Sequence, residues 1–248
     1  MNISRLSSLA KLLTANPNEV KTAIKLATVD ILKSLGNSKY TILLENKTLT
    51  AQSEKPLSEG AKYWAQITNL KDSTPKLSQL LRQPLLFRAL QNSSAEFSLK
   101  DLQTILSSKK PQNILKQDLL QNLTNSISKE EFISNSILLL SLQNQTMTIP
   151  INYHNYFSIL QFKKRYNKKS KKTQIDFYAA LEFLGPISGI LLFNNSNVSI
   201  NLNVAFEKTK QFLQRDIKNI SYEVDISVVG EIEPLYNTNI NSILDISI

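Results

Sequence analysis

The sequence predicts an α+β protein of two modules: a small N-terminal β unit flanked by helices, and a C-terminal, mainly antiparallel sheet with one helix packed on it. Three observations predict it. Apolar and polar residues alternate over segments near 40–68 and 147–228, the period of half-buried strands. Between those regions the apolar residues recur at spacings of three and four, the period of helices. In the C-terminal half the order is strands, then one helix, then a last strand.

Arg5, Leu6, Leu9, Leu12 and Leu13, interrupted by Lys11 and hydroxyl residues, read as an amphipathic helix and not as a cleavable signal peptide. Asn16-Pro17-Asn18-Glu19 supplies a cap, a first-turn proline and a glutamate three residues on, so a second helix should start there. Val20, Ile24, Ala27 and Ile31 form its apolar stripe, and Gly36 sits where a left-handed cap would end it. From Tyr40 the period becomes two: Tyr40, Ile42 and Leu44, a turn at Asn46-Lys47, then Leu49 and Ala51 predict a β-hairpin. After Ser58-Glu59-Gly60, Ala61, Tyr63, Ala65 and Ile67 share one face of a third strand. Flanking helices would cover these strands, or the strands would curl into a small open barrel. Trp64, on the opposite face, either packs under a flanking helix or joins an exposed binding face.

From Lys76 to Asn125 the spacing predicts short helices jointed at prolines: Leu77, Leu80 and Leu81 before Pro84, then Leu85 to Leu90. A capped helix follows from Ser98-Leu99-Lys100-Asp101, and another from Pro111 through Leu115, Leu119 and Leu123. The polar stretch 122–128 divides the chain into modules at 1–125 (strands about 40–68, helices about 76–125) and 128–248. Ser128-Lys129-Glu130-Glu131 caps the apolar stretch Phe132–Leu142. Met147 to Tyr153 reads as a strand that continues, after a bend, through Phe157 to Phe162. Ile175 to Phe183 and the segment from Pro186 to Phe193 read as two more strands. Val198, Ile200, Leu202 and Val204 alternate with polar residues without a break, which fixes their register. Helical spacing at Phe206, Leu213, Ile217 and Ile220 then gives way to a strand through Tyr222, Val224, Ile226 and Val228.

With no cysteine there is neither a disulfide nor a thiolate site, and the lone His154 cannot build a multi-histidine zinc centre. Five isolated glycines make no phosphate-cradling loop. The acidic residues fall at a helix start, Glu130-Glu131, and near the last strand, Asp225, Glu231 and Glu233, not as a paired catalytic set. The sequence therefore reads as a non-enzymatic, soluble binding protein without cofactor or metal. The net charge is +9, and the densest cluster of cations is Lys163, Lys164, Arg165, Lys168, Lys169, Lys171 and Lys172. That run is either a solvated hairpin loop or a contact for an acidic partner, nucleic acid or lipid headgroups.

Leu184-Gly185-Pro186-Ile187 joining two strands, an asparagine-rich turn, the alternating strand and a helix from about Phe206 together resemble the C-terminal domain of the flagellar hook-length control family, over roughly residues 145–230. Leu184, Gly185, Leu213 and Ile217 fill family positions. Leu57, Gly60 and Ala61 resemble a strand-turn segment of longer members. The resemblance implies an interaction component of flagellar export or hook assembly. Its partners would be the export-gate switch protein or hook components, and its place would be the cytoplasm or the flagellar secretion apparatus that exports it. The surfaces implied are the exposed edge of the Val198–Val204 sheet and the helix 205–220, including Asn201, Asn203, Lys210 and Gln214. Family members that measure hook length carry long Pro-, Ser- and Thr-rich segments. With eight prolines spread along the chain, this sequence reads as a short form without a ruler. The reading from another class is a nucleic-acid-binding module using the 163–172 cluster.

Overall fold

The computed structural model describes residues 26–68, 74–91, 96–153, 156–167, 172–194, 197–217 and 222–237. Within them the chain is α+β, with a five-stranded N-terminal unit, a six-stranded C-terminal sheet and five helices.

Strands β1 (Leu26–Gly36), β2 (Lys39–Leu44), β3 (Lys47–Ser53), β4 (Lys62–Thr68) and β5 (Lys76–Arg82) close into a barrel in the order β1-β2-β3-β5-β4. All contacts are antiparallel except β3 with β5. Three hairpin-joined strands closed by a returning pair is the Greek-key arrangement of an OB-type barrel. Val29, Ile31, Ile42, Ala51, Ala65, Leu77 and Leu80 fill its interior. The hydroxyls of Tyr40 and Tyr63 accept hydrogen bonds from Leu57 N and Ser58 N, each at 3.1 Å, and so fasten the 54–61 connection over the barrel.

Two of these strands correct the sequence reading. Residues 26–36 are not the end of a helix; the predicted helix start at residues 16–25 and the N-terminal amphipathic helix lie outside the described residues. Leu26 faces out of the barrel while Val29 and Ile31 face in, so a strand buried on both sides at its start imitates helical spacing. Gly36 does adopt a positive φ, +80°, but it opens the β1–β2 turn with Asn37 and Ser38 instead of capping a helix. Residues 76–82 likewise form β5. A bulge at Gln79, with φ +48°, shifts the register against β4 and turns both Leu77 and Leu80 inward. The β2–β3 turn is at Glu45-Asn46, both with positive φ, one residue earlier than predicted.

Helices α1 (Leu85–Gln91), α2 (Leu99–Ser107), α3 (Pro111–Thr124) and α4 (Lys129–Gln143) follow. Pro111 lies at the start of α3, and Ser98 and Ser128 cap α2 and α4, as the sequence indicates. The second sheet contains β6 (Met147–Tyr153), β7 (Tyr156–Asn167), β8 (Lys172–Leu181), β9 (Gly185–Asn194), β10 (Asn197–Val204) and β11 (Glu223–Val228), ordered β11-β10-β9-β8-β7-β6. Only β10 with β11 is parallel, joined through helix α5 (Glu207–Asp216). β7 does not extend β6 beyond a bend; it turns back antiparallel, Tyr153 opposite Tyr156.

Trp64 is 1% exposed and faces out of the barrel onto Phe87 of α1, ring centroids 5.7 Å apart. Phe87 in turn meets Phe157 of β7 at 5.1 Å. Leu26 and Trp64 thus belong to the same apolar cluster as α1–α5 and the second sheet. Of the alternatives for Trp64, packing under a helix is the one realised.

Candidate interaction surface

Side chains alternate along strands, so residues opposite one another in register share a face. One face of the second sheet carries Lys163, Asp176 and Ile190 in one row, and Arg165, Gln174 and Leu192 in another. Farther along β10 and β11 the same face presents Ser199 with Glu223, Asn201 with Asp225, and Asn203 with Ser227. Lys164 points to the other side, in register with Ile175, Leu191 and Ile200.

The predicted cation cluster is distributed over two strands, because β7 runs to Asn167 and β8 starts at Lys172; only 168–171 connect them. Lys163 Nζ donates to the carbonyl of Asn144 at 3.1 Å, at the electronegative end of α4. Arg165 pairs with Asp176, whose Oδ1 also accepts from Gln174 Nε2 at 2.7 Å. Asp176 is buried, and these two partners compensate its charge. Two of the cations are therefore engaged within the fold, Lys163 with the end of α4 and Arg165 across the β7–β8 pair, while Lys164 is exposed. Lys168, Lys169 and Lys171 lie outside the described residues, as does His154; Lys172 contributes its backbone to β8.

On this side the exposed edge of the sheet that contains Val198–Val204 is formed by β11, not by β10 itself. β11 pairs along the outer side of β10 from Ser199 opposite Glu223 to Val204 opposite Val228. The reason is the crossover: α5 carries the chain back over the sheet, and Val224 and Ile226 continue its apolar face one strand outward. Asn201 is exposed and Asn203 half-buried, on an interior strand. The end strand is β11, with Glu223, Asp225 and Ser227 exposed on one side. Behind it, α5 buries Phe212 and Leu213 and its capping residue Phe206, leaving Gln214 exposed and Lys210 half-buried. Thr209 Oγ1, fully buried, donates to Leu184 O at 2.8 Å. The turn Leu184-Gly185-Pro186, wholly buried, is thereby the seat on which α5 rests.

Beyond β11, Val229 N donates to Val204 O, and the segment 230–237 passes back over the polar-bearing face at β7 and β8. Gln161, fully buried, clasps it: Nε2 donates to Tyr236 O at 2.8 Å and Oε1 accepts from Tyr236 N at 3.2 Å. Beneath it the hydroxyl of Tyr178 is buried without a hydrogen-bond partner among the described residues. Burial, reinforced by the Glu233 carboxylate, pushes its ionisation well above the ordinary phenol value. The periodicity of the sequence does not single out Gln161 and Asp176, although each is a polar residue inside an apolar strand, Leu160-Gln161-Phe162 and Ile175-Asp176-Phe177.

Among the described residues no three metal-ligating side chains gather, and no helix is long and apolar enough to cross a membrane. The chemistry this surface offers is recognition: the outward main chain of β11 can pair with an extended segment, flanked by carboxylates and by α5. Comparison with known proteins adds no relative, since no family model and no curated protein matches the chain.

Proposed function

We propose that the chain is a non-enzymatic interaction component of flagellar export or hook assembly, as its resemblance to the hook-length control C-terminal domain implies. The observation supporting this reading is the end strand β11, backed by α5, on the unit that carries the resemblance. In this reading an extended segment of the export-gate switch protein, or of a hook component, adds beside β11. The exposed Glu223 and Asp225 favour basic side chains on that segment and discourage pairing between identical edges.

The nucleic-acid alternative has less support. Lys163 and Arg165 are engaged within the fold. On the barrel, the outward residues of β2 and β3 are Lys39, Thr41, Leu43, Thr48, Thr50 and Gln52, which give one cation and three hydroxyls but no aromatic platform for bases.

Deleting the gene in a flagellated host should disturb motility, hook length or filament export. Full preservation of all three rejects the proposal. In vitro, the cytoplasmic part of the export-gate switch protein should be retained by the full chain, and Glu223→Lys with Asp225→Lys should release it. Retention of nucleic acid in its place, declining steeply with salt, would establish the alternative.

A further inference from the structure

We propose that a polar row crossing the second sheet is a track for an extended peptide, and that residues 230–237 are its displaceable occupant, replaced by a partner segment of the same kind. Thr148, Gln161, Tyr178, Ser188, Asn203 and Ser227 stand opposite one another in register across all six strands, from β6 to β11. The rows on either side, which pass through Phe162, Phe177 and Leu202 and through Leu160, Ile187 and Val204, are apolar and face the other way. From β6 to β11 the row is about 24 Å long, the span of about seven extended residues. The segment 230–237 is of that length.

The occupant is held at two points. Val229 N donates to Val204 O, beside Asn203, and near the far end Gln161 both donates to Tyr236 O and accepts from Tyr236 N. Gln161 is itself oriented by the bond from its Nε2 to Thr148 Oγ1 at 3.2 Å. Both of its contacts with the segment are to main chain, so any extended chain with a free N–H in that place satisfies them. Between the two points, residues 230–235 make no main-chain to main-chain hydrogen bond among the described residues. An added carbon on Gly230 would meet nothing within 4 Å, so the chain is free to pivot where it leaves the sheet.

Release costs part of the burial of Ile232, Leu235 and Tyr236, which are half-buried, whereas Glu231 and Glu233 are exposed already. The row uncovered is made of hydroxyls and amides, which water satisfies much as a main chain does. A cover seated on apolar side chains could not leave without exposing them. The occupant also specifies what replaces it: apolar residues three apart, in the places of Ile232 and Leu235, then a residue other than proline in the place of Tyr236. Charge is allowed at the outward positions of Glu231 and Glu233. The row lies on the face of the sheet and not along the outer edge of β11, so occupancy here and strand addition there are independent.

The test uses the full chain and a fluorophore-labelled synthetic peptide, Gly-Glu-Ile-Glu-Pro-Leu-Tyr-Asn, which reproduces residues 230–237. In the parent the tethered segment competes at high local concentration, so the free peptide should bind weakly. Tyr236→Pro removes the N–H that Gln161 accepts and should raise the affinity for the peptide by at least about tenfold. A peptide with proline in place of its tyrosine should bind that variant at least about tenfold more weakly, the loss of one hydrogen bond at a buried partner. Adding Gln161→Leu should weaken the original peptide by as much. Adding Glu223→Lys with Asp225→Lys should leave it unchanged, which separates the row from the β11 edge. If Tyr236→Pro fails to fold, hydrogen exchange of the parent decides: the Tyr236 amide should exchange at least about tenfold faster than the amides of β8, and faster still with excess peptide. Exchange of Tyr236 only together with β8, or without acceleration by the peptide, overturns the proposal. So does equal peptide affinity for the parent and Tyr236→Pro, indifference to Gln161→Leu or to proline in the peptide, or loss of the peptide on Glu223→Lys with Asp225→Lys.

Discussion

A Cβ placed on Gly185 would lie 2.5 Å from Cε2 of Phe206 and 3.4 Å from Cδ2 of Leu26. Gly185 has φ +75°, and its bare Cα lets the ring that caps α5 and a side chain from the first barrel strand converge on one turn. The second sheet, its helix and the barrel are thus joined at a position where a side chain cannot be inserted.

Gly185→Ala should destabilise the protein by about 2–4 kcal/mol, combining left-handed backbone strain with overpacking. Gly60→Ala is the control, because Gly60 has φ +71° but nothing within 4 Å of the added carbon. It should cost only about 1 kcal/mol, the backbone share alone. Urea unfolding of both variants measures the difference, and equal losses would mean that Phe206 moves aside freely.

The cation run divides in the same testable way. Arg165→Gln leaves buried Asp176 with Gln174 alone and should cost about 1–2 kcal/mol, a figure reduced because Arg165 is 56% exposed. Lys164→Gln, on an exposed side chain, should change stability by less than about 0.5 kcal/mol. Thermal melts of the two variants decide it. If they match, the ion pair contributes nothing, and Arg165 returns to the set of cations available to a partner.

Legibility in the sequence followed burial on one face. Val198–Val204 could be read because one side is core and the other is not, so alternation survives. Leu26–Gly36 could not, because Leu26 serves the sheet-side core while Val29 and Ile31 serve the barrel. In Lys76–Arg82 the bulge at Gln79 slips the parity and leaves leucines three apart. The alternation of Tyr222–Val228 announces a strand but not its neighbour; α5 decides that it lies outside β10 and takes the edge. The polar row from Thr148 to Ser227 had no linear signal as a row, since its six strands come into register only on folding. Gln161 and Asp176 did have one: a polar residue inside a strand of apolar residues calls for a buried partner.

Tyr178 should shape the alkaline limit of stability. Its folded-state ionisation is raised by burial and then by Glu233, whereas in the unfolded chain it ionises near pH 10. Above about pH 10 the unfolded state alone releases this proton, so stability falls as pH rises, by up to about 1.4 kcal/mol per pH unit. Tyr178→Phe removes an unpartnered hydroxyl and should leave stability at pH 8 unchanged or raise it by up to about 1 kcal/mol. Its advantage over the parent should widen between pH 8 and pH 11 in urea titrations. A constant difference would show that Tyr178 reaches solvent before the protein unfolds.

The start of α2 supplies the acidic counterpart. Ser98 Oγ accepts from Asp101 N at 3.2 Å, while Asp101 Oδ2 accepts from Ser98 N at 2.9 Å and from Ser98 Oγ at 2.6 Å. The Ser98 hydroxyl first, then its amide, holds the Asp101 carboxyl below the usual carboxylate range. A lowered folded value contributes stability above the unfolded value, near pH 3.9, and loses it as pH falls through the folded value. Ser98→Ala should cost about 1 kcal/mol at neutral pH, as for other capping residues. Part of that loss is the hydroxyl's bond to the carboxylate, which protonation weakens in the parent; the bond from Asp101 N to Ser98 Oγ does not titrate. The gap in melting temperature between parent and Ser98→Ala should therefore be widest above pH 5 and narrow, without closing, by pH 2. A gap independent of pH would assign the whole effect to the amide–hydroxyl bond and none to the carboxylate.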